Sequence, residues 1–312
     1  MGSKEKNFIS AVIYVHNAQE HIGSFLKNII QVLEKYFEHS EIICVDDDSD
    51  DHSVLAIREA GSRVETVSIS VLHMSYFHGT EAAMGAGTDL AIGDFVLEFD
   101  TTHQDFTNET VMEVYRKSLE GYDIVSASPL CRQKMASRMF YRMLNRAVHY
   151  SYEIQTERFR ILSRRALNRI GSMNRTIPYR KAVYAGCGLQ MSGIRYEPTV
   201  RIRNGTDKTE KKYRWNLAAD TLILFTQTGY KIAFLMTMMM MCVAVFMAVY
   251  SVIIYITSTP VAGWMTTILF MSVAFFGLFG ILTVMIKYLQ ILVNLVFRKK
   301  DYNFETIEKL TR

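Results

Sequence analysis

The chain of 312 residues contains only four cysteines, and no two of them form a Cys-x-x-Cys motif. They lie far apart, at Cys44, Cys131, Cys187 and Cys242. This spacing argues against a zinc site and a disulfide framework, and it predicts reduced thiols in the cytosol. The N-terminus lacks the apolar segment of a secretory signal peptide. No cluster of Lys and Arg with stacking aromatics is present, so we expect no nucleic-acid partner.

Charged residues are also absent from a long stretch near the C-terminus, from Ile232 to Ile286. Residues 232–256 would form a helix of roughly 37 Å, enough to cross a hydrocarbon core of about 30 Å with some tilt. Residues 264–286 form a second such segment, and Pro260 and Gly263 interrupt the short link between the two. The pattern predicts a transmembrane helical hairpin. The alternative is a pair of buried core helices.

Basic residues flank both predicted spans, whereas the link between the spans has none. Those before and after the hairpin are Lys211, Lys212, Arg214, Lys231, Lys287, Arg298, Lys299 and Lys300. Because positive charge favours the cytoplasmic side, we expect a multi-pass protein of the cytoplasmic (inner) membrane with both termini and the catalytic domain in the cytoplasm. The expected organisation is a domain at 1–210, an amphipathic interfacial helix at 211–230, the hairpin at 231–297 and a cytoplasmic tail at 298–312.

Strand and helix patterns alternate through the first part of the chain. Apolar runs predict strands and a helical period predicts helices. The predicted strands are 8–14, 41–45, 64–72, 95–99 and 123–127, and the predicted helices are 21–37, 53–60, 80–91 and 107–119. Such alternation predicts an α/β fold with a doubly wound, mostly parallel sheet. It is not the Rossmann dinucleotide type, because no G-x-G-x-x-G follows the first strand.

Three polar loops follow predicted strands and should converge at the carboxyl edge of the sheet, at Val15–Glu20, Asp46–Asp51 and Asp100–Asp105. The middle loop has five acids in six residues. Ser49 or Asp51 could cap the next helix, whereas a strand that runs into Asp46 and Asp47 suggests carboxylates that accept hydrogen bonds from a ligand. Asp100 would meet a metal-bound diphosphate, but Thr102 stands where a second acid would help.

Several stretches together resemble the family 2 glycosyltransferases of the GT-A fold, in particular the polyprenyl-phosphate glycosyltransferases. They are Val12–Asn17 (V-I-Y-V-H-N), Val45–Asp51 (V-D-D-D-S-D-D), Gly79–Asp94, Asp100–Gln104 (D-T-T-H-Q), Arg132–Asn145 and Phe159–Arg165 (F-R-I-L-S-R-R). The resemblance covers nearly the whole chain, and a two-helix hairpin is common in bacterial members.

The resemblance implies a role for each matching position. The donor nucleotide would be bound by Val15, Asn17, Asp46, Asp47 and Asp100. A Mg²⁺ or Mn²⁺ ion would be held by Asp100 and Gln104. Arg132 and Arg138 would join Asp100 as catalytic residues and face the phosphate of a lipid acceptor, since guanidinium groups match phosphate bidentately. Arg160, Arg164 and Arg165 have either a catalytic role or one in attraction to an anionic membrane.

The chain also departs from the family pattern. Tyr14 replaces a proline, Ala18 replaces an acid, Asp48 replaces a glycine, and Thr102 replaces the second acid of D-x-D. The glycine replacement predicts strain in its turn. The loss of the acid at Thr102 predicts a weaker metal site, so the expected cofactor, Mg²⁺ or Mn²⁺, is less firmly held.

These features predict an inverting transferase that moves a sugar from a nucleotide-diphosphate sugar to a polyprenyl (undecaprenyl) phosphate at the cytoplasmic membrane face, for cell-surface glycan synthesis. The expected partners are the donor, the lipid acceptor and the membrane, and the sequence leaves a homo-oligomer open. Two alternatives remain. One is a catalytically weak homologue that acts as a scaffold or binding module. The other is a polysaccharide synthase, suggested by Lys211-x-x-Arg214-Trp215.

Overall fold

The computed structural model describes residues 4–62, 64, 66–131, 135–147, 152–173, 179–200, 208–225 and 304–309, with scattered positions between 235 and 292. The chain forms two compact units. The first comprises Met1–Ala218 with Lys299–Arg312, and the second comprises Ala219–Arg298.

The described part of the first unit contains an eight-stranded sheet with the order β7-β5-β6-β4-β1-β2-β3-β8. Neighbouring strands are parallel except where β6 and β8 pair. The strands are β1 (Ile9–Val15), β2 (Ser40–Asp46), β3 (Ser68–Met74), β4 (Phe95–Phe99), β5 (Ile124–Pro129), β6 (Phe159–Ser163), β7 (Met191–Tyr196) and β8 (Phe304–Lys309).

Helices pack on both faces of this sheet. The helices of the described ranges are α1 (Ile22–Tyr36), α2 (Ser53–Gly61), α3 (Thr80–Leu90), α4 (Asn108–Leu119), α5 (Met135–Ala147), α6 (Arg164–Met173), α7 (Arg180–Gly186) and α8 (Lys208–Phe225). The larger apolar core lies under α1, α2 and α4, and α1 buries residues at helical spacing such as Ile22, Phe25 and Ile29. The smaller core lies under α3 on the opposite face. The predicted doubly wound α/β architecture with a mostly parallel sheet is therefore confirmed.

The predicted elements of the first half match the observed ones within a few residues. The largest difference is at β3, which begins at Ser68 although the pattern predicts a strand from Val64. Asp51 accepts a hydrogen bond from the backbone N–H of Ser53 at 2.9 Å. This contact satisfies a free donor at the start of α2, but the N-cap of that helix is His52, which makes no side-chain cap hydrogen bond, and not Ser49 or Asp51 as predicted.

The predicted membrane spans at 232–256 and 264–286 fall largely outside the described residues. The described positions between 235 and 292 are helical. A β-carbon built on Gly280 would lie 2.7 Å from Cε of Met236, so the two helical segments approach each other there. Across the described positions of the chain, no helix combines the length and apolar character that a bilayer crossing needs.

A strand that sequence analysis did not predict lies at the end of the chain. β8 falls within the predicted tail at 298–312 and pairs antiparallel with β3, with Leu72 opposite Ile307. Arg58 on α2 also forms a 2.6 Å salt bridge with Glu308. The C-terminal segment therefore completes an edge of the sheet that β3 would otherwise leave open.

Candidate active site

The three predicted loops converge at the carboxyl edge of the sheet and are joined by hydrogen bonds. The backbone N–H of Asn17 donates to Oγ of Ser49 at 3.1 Å, and the N–H of Asp50 donates to Oδ1 of Asn17 at 2.9 Å. The third loop is tied to α1, because Asn28 Nδ2 donates to Oε1 of Gln104 at 2.8 Å. The crevice expected for an open α/β sheet is therefore present.

Two residues at this edge of the sheet have backbone conformations that are unfavourable for residues other than glycine. Asn17 has a φ of 47° and Asp48 a φ of 58°, both in the left-handed region that favours glycine. Asp48 is the position where a glycine is expected from the family pattern. Its Oδ2 accepts a hydrogen bond from the N–H of Phe77 at 3.2 Å. Strain of this kind is typical of sites where the fold holds a residue for function.

Asp47 is fully buried and engaged by its own chain. Its Oδ1 accepts from the N–H of His78 at 2.8 Å, and its Oδ2 accepts from the N–H of Gly79 at 2.8 Å and from the Tyr14 hydroxyl at 3.0 Å. Burial raises the pKa of Asp47, although these hydrogen bonds act to lower it. Tyr14, which replaces the expected proline, thus donates a hydrogen bond that helps to hold the Asp47 carboxylate. Asp47 anchors the start of α3, and its predicted contact with the nucleotide stays a prediction.

The neighbouring acid, Asp46, is the last residue of β2, and its hydrogen bonding differs from that of Asp47. Its Oδ2 accepts a hydrogen bond from Nδ1 of His73 at 3.0 Å. Its other oxygen, Oδ1, is buried and has no hydrogen-bond partner in the described part of the chain. A buried acceptor without a donor is costly, and native structures seldom leave one without a purpose. Asp46 is therefore an acid of this loop with one oxygen that no described donor satisfies, and its predicted contact with the nucleotide stays a prediction.

The carboxylate of Asp100 is held by two buried arginines. Arg180 Nη2 donates to Oδ1 at 2.6 Å, and Arg160 Nη2 donates to Oδ2. Burial acts to raise the pKa of Asp100, but the two guanidinium charges outweigh burial and hold that pKa well below its usual range. Asp100 is therefore ionised and paired with side chains of its own fold.

A second carboxylate, Glu98, links the same two arginines. Its Oε2 accepts from Nη1 of Arg160 at 2.8 Å and from Nη1 of Arg180 at 2.7 Å. Its Oε1 accepts from the Tyr184 hydroxyl at 2.8 Å. Glu157 and Glu81 bind the remaining Nε groups of the two arginines. We call Glu81, Glu98, Asp100, Glu157, Arg160 and Arg180 the buried ion network.

The residues present do not fit the predicted metal at Asp100 and Gln104. A cation bound by either oxygen of Asp100 would lie beside a buried guanidinium of the same sign. Oε1 of Gln104 accepts from Asn28, and Thr102 offers no carboxylate and is buried. Within the described ranges, no group of three or more His, Cys, Asp or Glu side chains is arranged to hold a metal ion. We therefore derive no chemical step from a metal.

Attraction to a membrane, one of the two roles expected for three arginines, is wrong for Arg160. That residue is 1 % exposed and belongs to the buried ion network. Arg164 donates to the backbone carbonyls of Ala91 and Gly93, and Arg165 pairs with Asp123. Each of the three side chains thus has partners within the domain, although Arg165 is mostly exposed.

Only one of the two arginines predicted for the acceptor phosphate, Arg138, is among the described residues, and it lies near the end of β5. Arg132 lies outside the described residues. Arg138 is exposed on α5 and lines a cavity of about 410 Å³. The cavity is otherwise lined by Ser128, Pro129, Leu130, Cys131, Gln155, Thr156 and Arg195. Because β5 and β7 run parallel to each other and β5 ends at the same edge as β1, this cavity lies along the edge that carries the acidic loop.

The other predicted site residues, Val15 and Asn17, lie at the end of β1 and just beyond it, and their roles stay predictions. Val15 is buried in the core and presents only its backbone, whose carbonyl accepts from the N–H of Asp47 at 2.9 Å. Asn17 is exposed at the edge. Sequence reasoning missed Glu98 and Arg180. Glu98 could have been inferred from the sequence, because it is a charged residue inside the apolar strand at 95–99 and a buried charge requires a partner. No comparable sequence pattern points to Arg180.

The sequence of this chain is similar to those of several glycosyltransferases. The family model "Glycosyl transferase family 2" matches residues 10–178, more than half of the chain. An uncharacterized glycosyltransferase of Synechocystis is 27% identical over 230 residues, covering 72% of this chain and 71% of its own. An undecaprenyl-phosphate 4-deoxy-4-formamido-L-arabinose transferase of Pectobacterium atrosepticum is 28% identical over 234 residues, covering 72% and 69%.

A similar fold occurs in a solved structure, glucosyl-3-phosphoglycerate synthase from Mycobacterium tuberculosis in complex with phosphoglyceric acid. It has a TM-score of 0.51 and 14% sequence identity, over 70% of this chain and 79% of that one. At this identity the likeness concerns the GT-A fold alone.

Proposed function

The chain belongs to glycosyl transferase family 2 and is a glycosyltransferase, and on this basis we propose that it transfers a sugar from a nucleotide-diphosphate sugar to a polyprenyl phosphate. The sequence relative from Pectobacterium atrosepticum, named for action on undecaprenyl phosphate, supports the choice of acceptor. The observation that carries the proposal is the arrangement of one sheet edge. The loop of Asp46 and the cavity lined by Arg138 lie along it, so a donor nucleotide and an anionic acceptor could meet there.

The side chains at this edge suit such a transfer. An acceptor phosphate already carries negative charge, so the site needs no strong general base. Catalysis would come from holding the two substrates in line and from stabilising the charge of the leaving diphosphate. Arg138 would bind the acceptor phosphate, because a guanidinium offers paired donors to two phosphate oxygens.

The location at the cytoplasmic face of the inner membrane, with a role in cell-surface glycan synthesis, is part of the same proposal. Its support is the uncharged sequence at 232–256 and 264–286 together with the pairing of β8 with β3. Both ends of the intervening segment return to one domain, which requires an even number of crossings, as a two-helix hairpin provides.

The test is a screen of UDP- and GDP-sugars with undecaprenyl phosphate in membranes that contain the full-length chain, with the lipid product detected by mass spectrometry. We expect one donor to yield a glycosylated lipid phosphate. Undecaprenol, which has the same chain without the phosphate, is the matched control and should yield none. Absence of product with every donor, or equal product from undecaprenol, would refute the proposal.

Each reaction is run with Mg²⁺, with Mn²⁺ and with EDTA. The metal prediction from the family resemblance stays a prediction, and this comparison tests it directly. Nucleotide binding by calorimetry under the same conditions separates an active enzyme from a scaffold, since a scaffold without a donor site would bind no nucleotide.

A further inference from the structure

Asp46 is held at the edge of the sheet by one histidine. In the register of β2 and β3, Asp46 lies opposite His73. Since a carboxylate only accepts, Nδ1 of His73 must carry the proton of their 3.0 Å hydrogen bond. This bond uses Oδ2 of Asp46 and leaves the buried Oδ1 without a partner among the described side chains. The histidine thus fixes the orientation of a carboxylate whose second oxygen is not satisfied by any described donor.

The other nitrogen of His73 faces the C-terminal strand. Its Nε2 lies 3.9 Å from Oε2 of Glu308 on β8. Glu308 is itself fixed by Arg58, whose Nη2 and Nε donate to the same oxygen at 2.6 and 3.2 Å. The hydrogen bond to Asp46 and, to a smaller degree, the charge of Glu308 raise the pKa of His73, whereas Arg58 acts against them. Four side chains from four elements therefore lie next to one another in a row. In order they are Asp46 of β2, His73 of β3, Glu308 of β8 and Arg58 of α2.

The row joins two distant parts of the sequence. β8 follows the whole of the second unit, Ala219–Arg298, yet it supplies the side chain that lies next to His73. Nothing in the predicted site includes His73 or Glu308. Both are partly buried, with 17% and 34% of their side chains exposed, so the contact is sheltered from bulk water.

We propose that His73 is a positioning residue of the donor site. It orients Asp46 so that Oδ1 accepts a hydrogen bond from an N–H or hydroxyl group of the donor nucleoside, and Glu308 of β8 steadies His73 in that orientation. This inference rests on the proposed function, because it assumes that a nucleotide binds at this edge. It makes the C-terminal strand a functional part of the donor site.

The test measures binding of UDP and GDP to the full-length chain by calorimetry, together with KM for the donor and kcat. His73→Phe removes the bond to Asp46 and should weaken nucleotide binding about tenfold, the usual effect of losing a hydrogen bond to a charged group. His73→Asn places an amide N–H where Nδ1 lies, so it should retain most of the affinity. A merely structural histidine would change the melting temperature and kcat without this selective rise in KM.

Glu308→Gln provides a second, milder test, with an expected loss of about threefold. Glu305→Gln changes the same charge on the same strand and should leave affinity unchanged. Equal nucleotide affinity in wild type, His73→Phe and Glu308→Gln would overturn the inference while leaving the proposed function intact. Failure of the wild type to bind either nucleotide would instead overturn the proposed function.

Discussion

Two carboxylates, Glu98 and Asp100, share the same pair of buried guanidinium groups. Each arginine contacts both acids, and neither arginine is more than 1 % exposed. A buried charge that loses its partner keeps its desolvation cost, typically about 3–5 kcal/mol. We therefore expect any substitution of Asp100 to disturb folding, and loss of activity in Asp100→Ala would not by itself identify a catalytic residue or a metal ligand.

This network leads to the first prediction. Glu98→Gln keeps the shape of the side chain but removes the charge that both arginines face, so we expect the free energy of unfolding to fall by about 3–5 kcal/mol. Urea denaturation of the purified chain measures the change. Glu113→Gln, an exposed substitution on α4, is the matched control and should stay within about 0.5 kcal/mol of wild type. An unchanged midpoint in Glu98→Gln would show that the network does not hold the fold.

The second prediction concerns the acceptor. Arg138→Ala removes the guanidinium that lines the cavity on α5, so we expect KM for polyprenyl phosphate to rise roughly tenfold or more, since hydrogen bonds to charged groups contribute about 1.5–3 kcal/mol. KM for the nucleotide donor should change little. Arg142→Ala removes the same charge from the same helix, at an exposed position away from the cavity lining. If both variants raise KM equally, the effect is general attraction to the membrane.

At the scale of residues, the sequence predicts where the acidic loop lies but not which contacts each of its acids makes. Asp46 and Asp47 are adjacent and chemically identical, yet one retains a free acceptor and the other anchors α3. The difference arises from residues distant in sequence, His73 and His78. Arg160 was misjudged for a similar reason, because two of its carboxylate partners, Glu98 and Asp100, lie about sixty residues away in the sequence.

At the scale of elements, hydrophobic periodicity predicted the strands and helices up to residue 127, where parallel strands are buried on both faces and read as continuous apolar runs. Beyond that point the signal weakens. β6 carries Arg160 in its interior, and β7 has only one buried residue among six. β8 carries three charged residues among six and covers an edge, so its partner β3, far away in sequence, determines its structure.

β8 supplies the third prediction. Deletion of residues 302–312 removes the strand and exposes the edge of β3. We therefore expect faster hydrogen–deuterium exchange in Ser68–Met74 and self-association of the protein through the exposed edge. Deletion of residues 310–312 alone leaves the strand in place and serves as the control. Mass spectrometry of the exchanged chain measures both. Unchanged protection of β3 after the longer deletion would mean that β8 does not pair there in solution.

For the whole molecule, the pairing of β8 with β3 constrains the path of the chain. Residues before and after the second unit belong to one sheet, so they must lie on the same side of any membrane that the intervening segment crosses. An odd number of crossings would separate the two strands. Two apolar segments of sufficient length, at 232–256 and 264–286, satisfy this requirement, and the excess of basic residues outside the link predicts which side the domain occupies.

The fourth prediction follows from this path and uses thiol accessibility. Cys131 is exposed in the first unit, whereas Cys44 and Cys187 are buried. We expect a membrane-impermeant maleimide to label Cys131 only after cells are permeabilised, because the proposed topology puts the domain in the cytoplasm. Ser258→Cys, introduced into the link of a chain that also carries Cys131→Ala, should be labelled in intact cells. Labelling of Cys131 in intact cells would invert the topology, and protection of both sites until permeabilisation would place the link inside. The first result would separate the domain from a cytosolic nucleotide sugar, whereas the second would contradict the two-span hairpin and leave the domain in the cytoplasm.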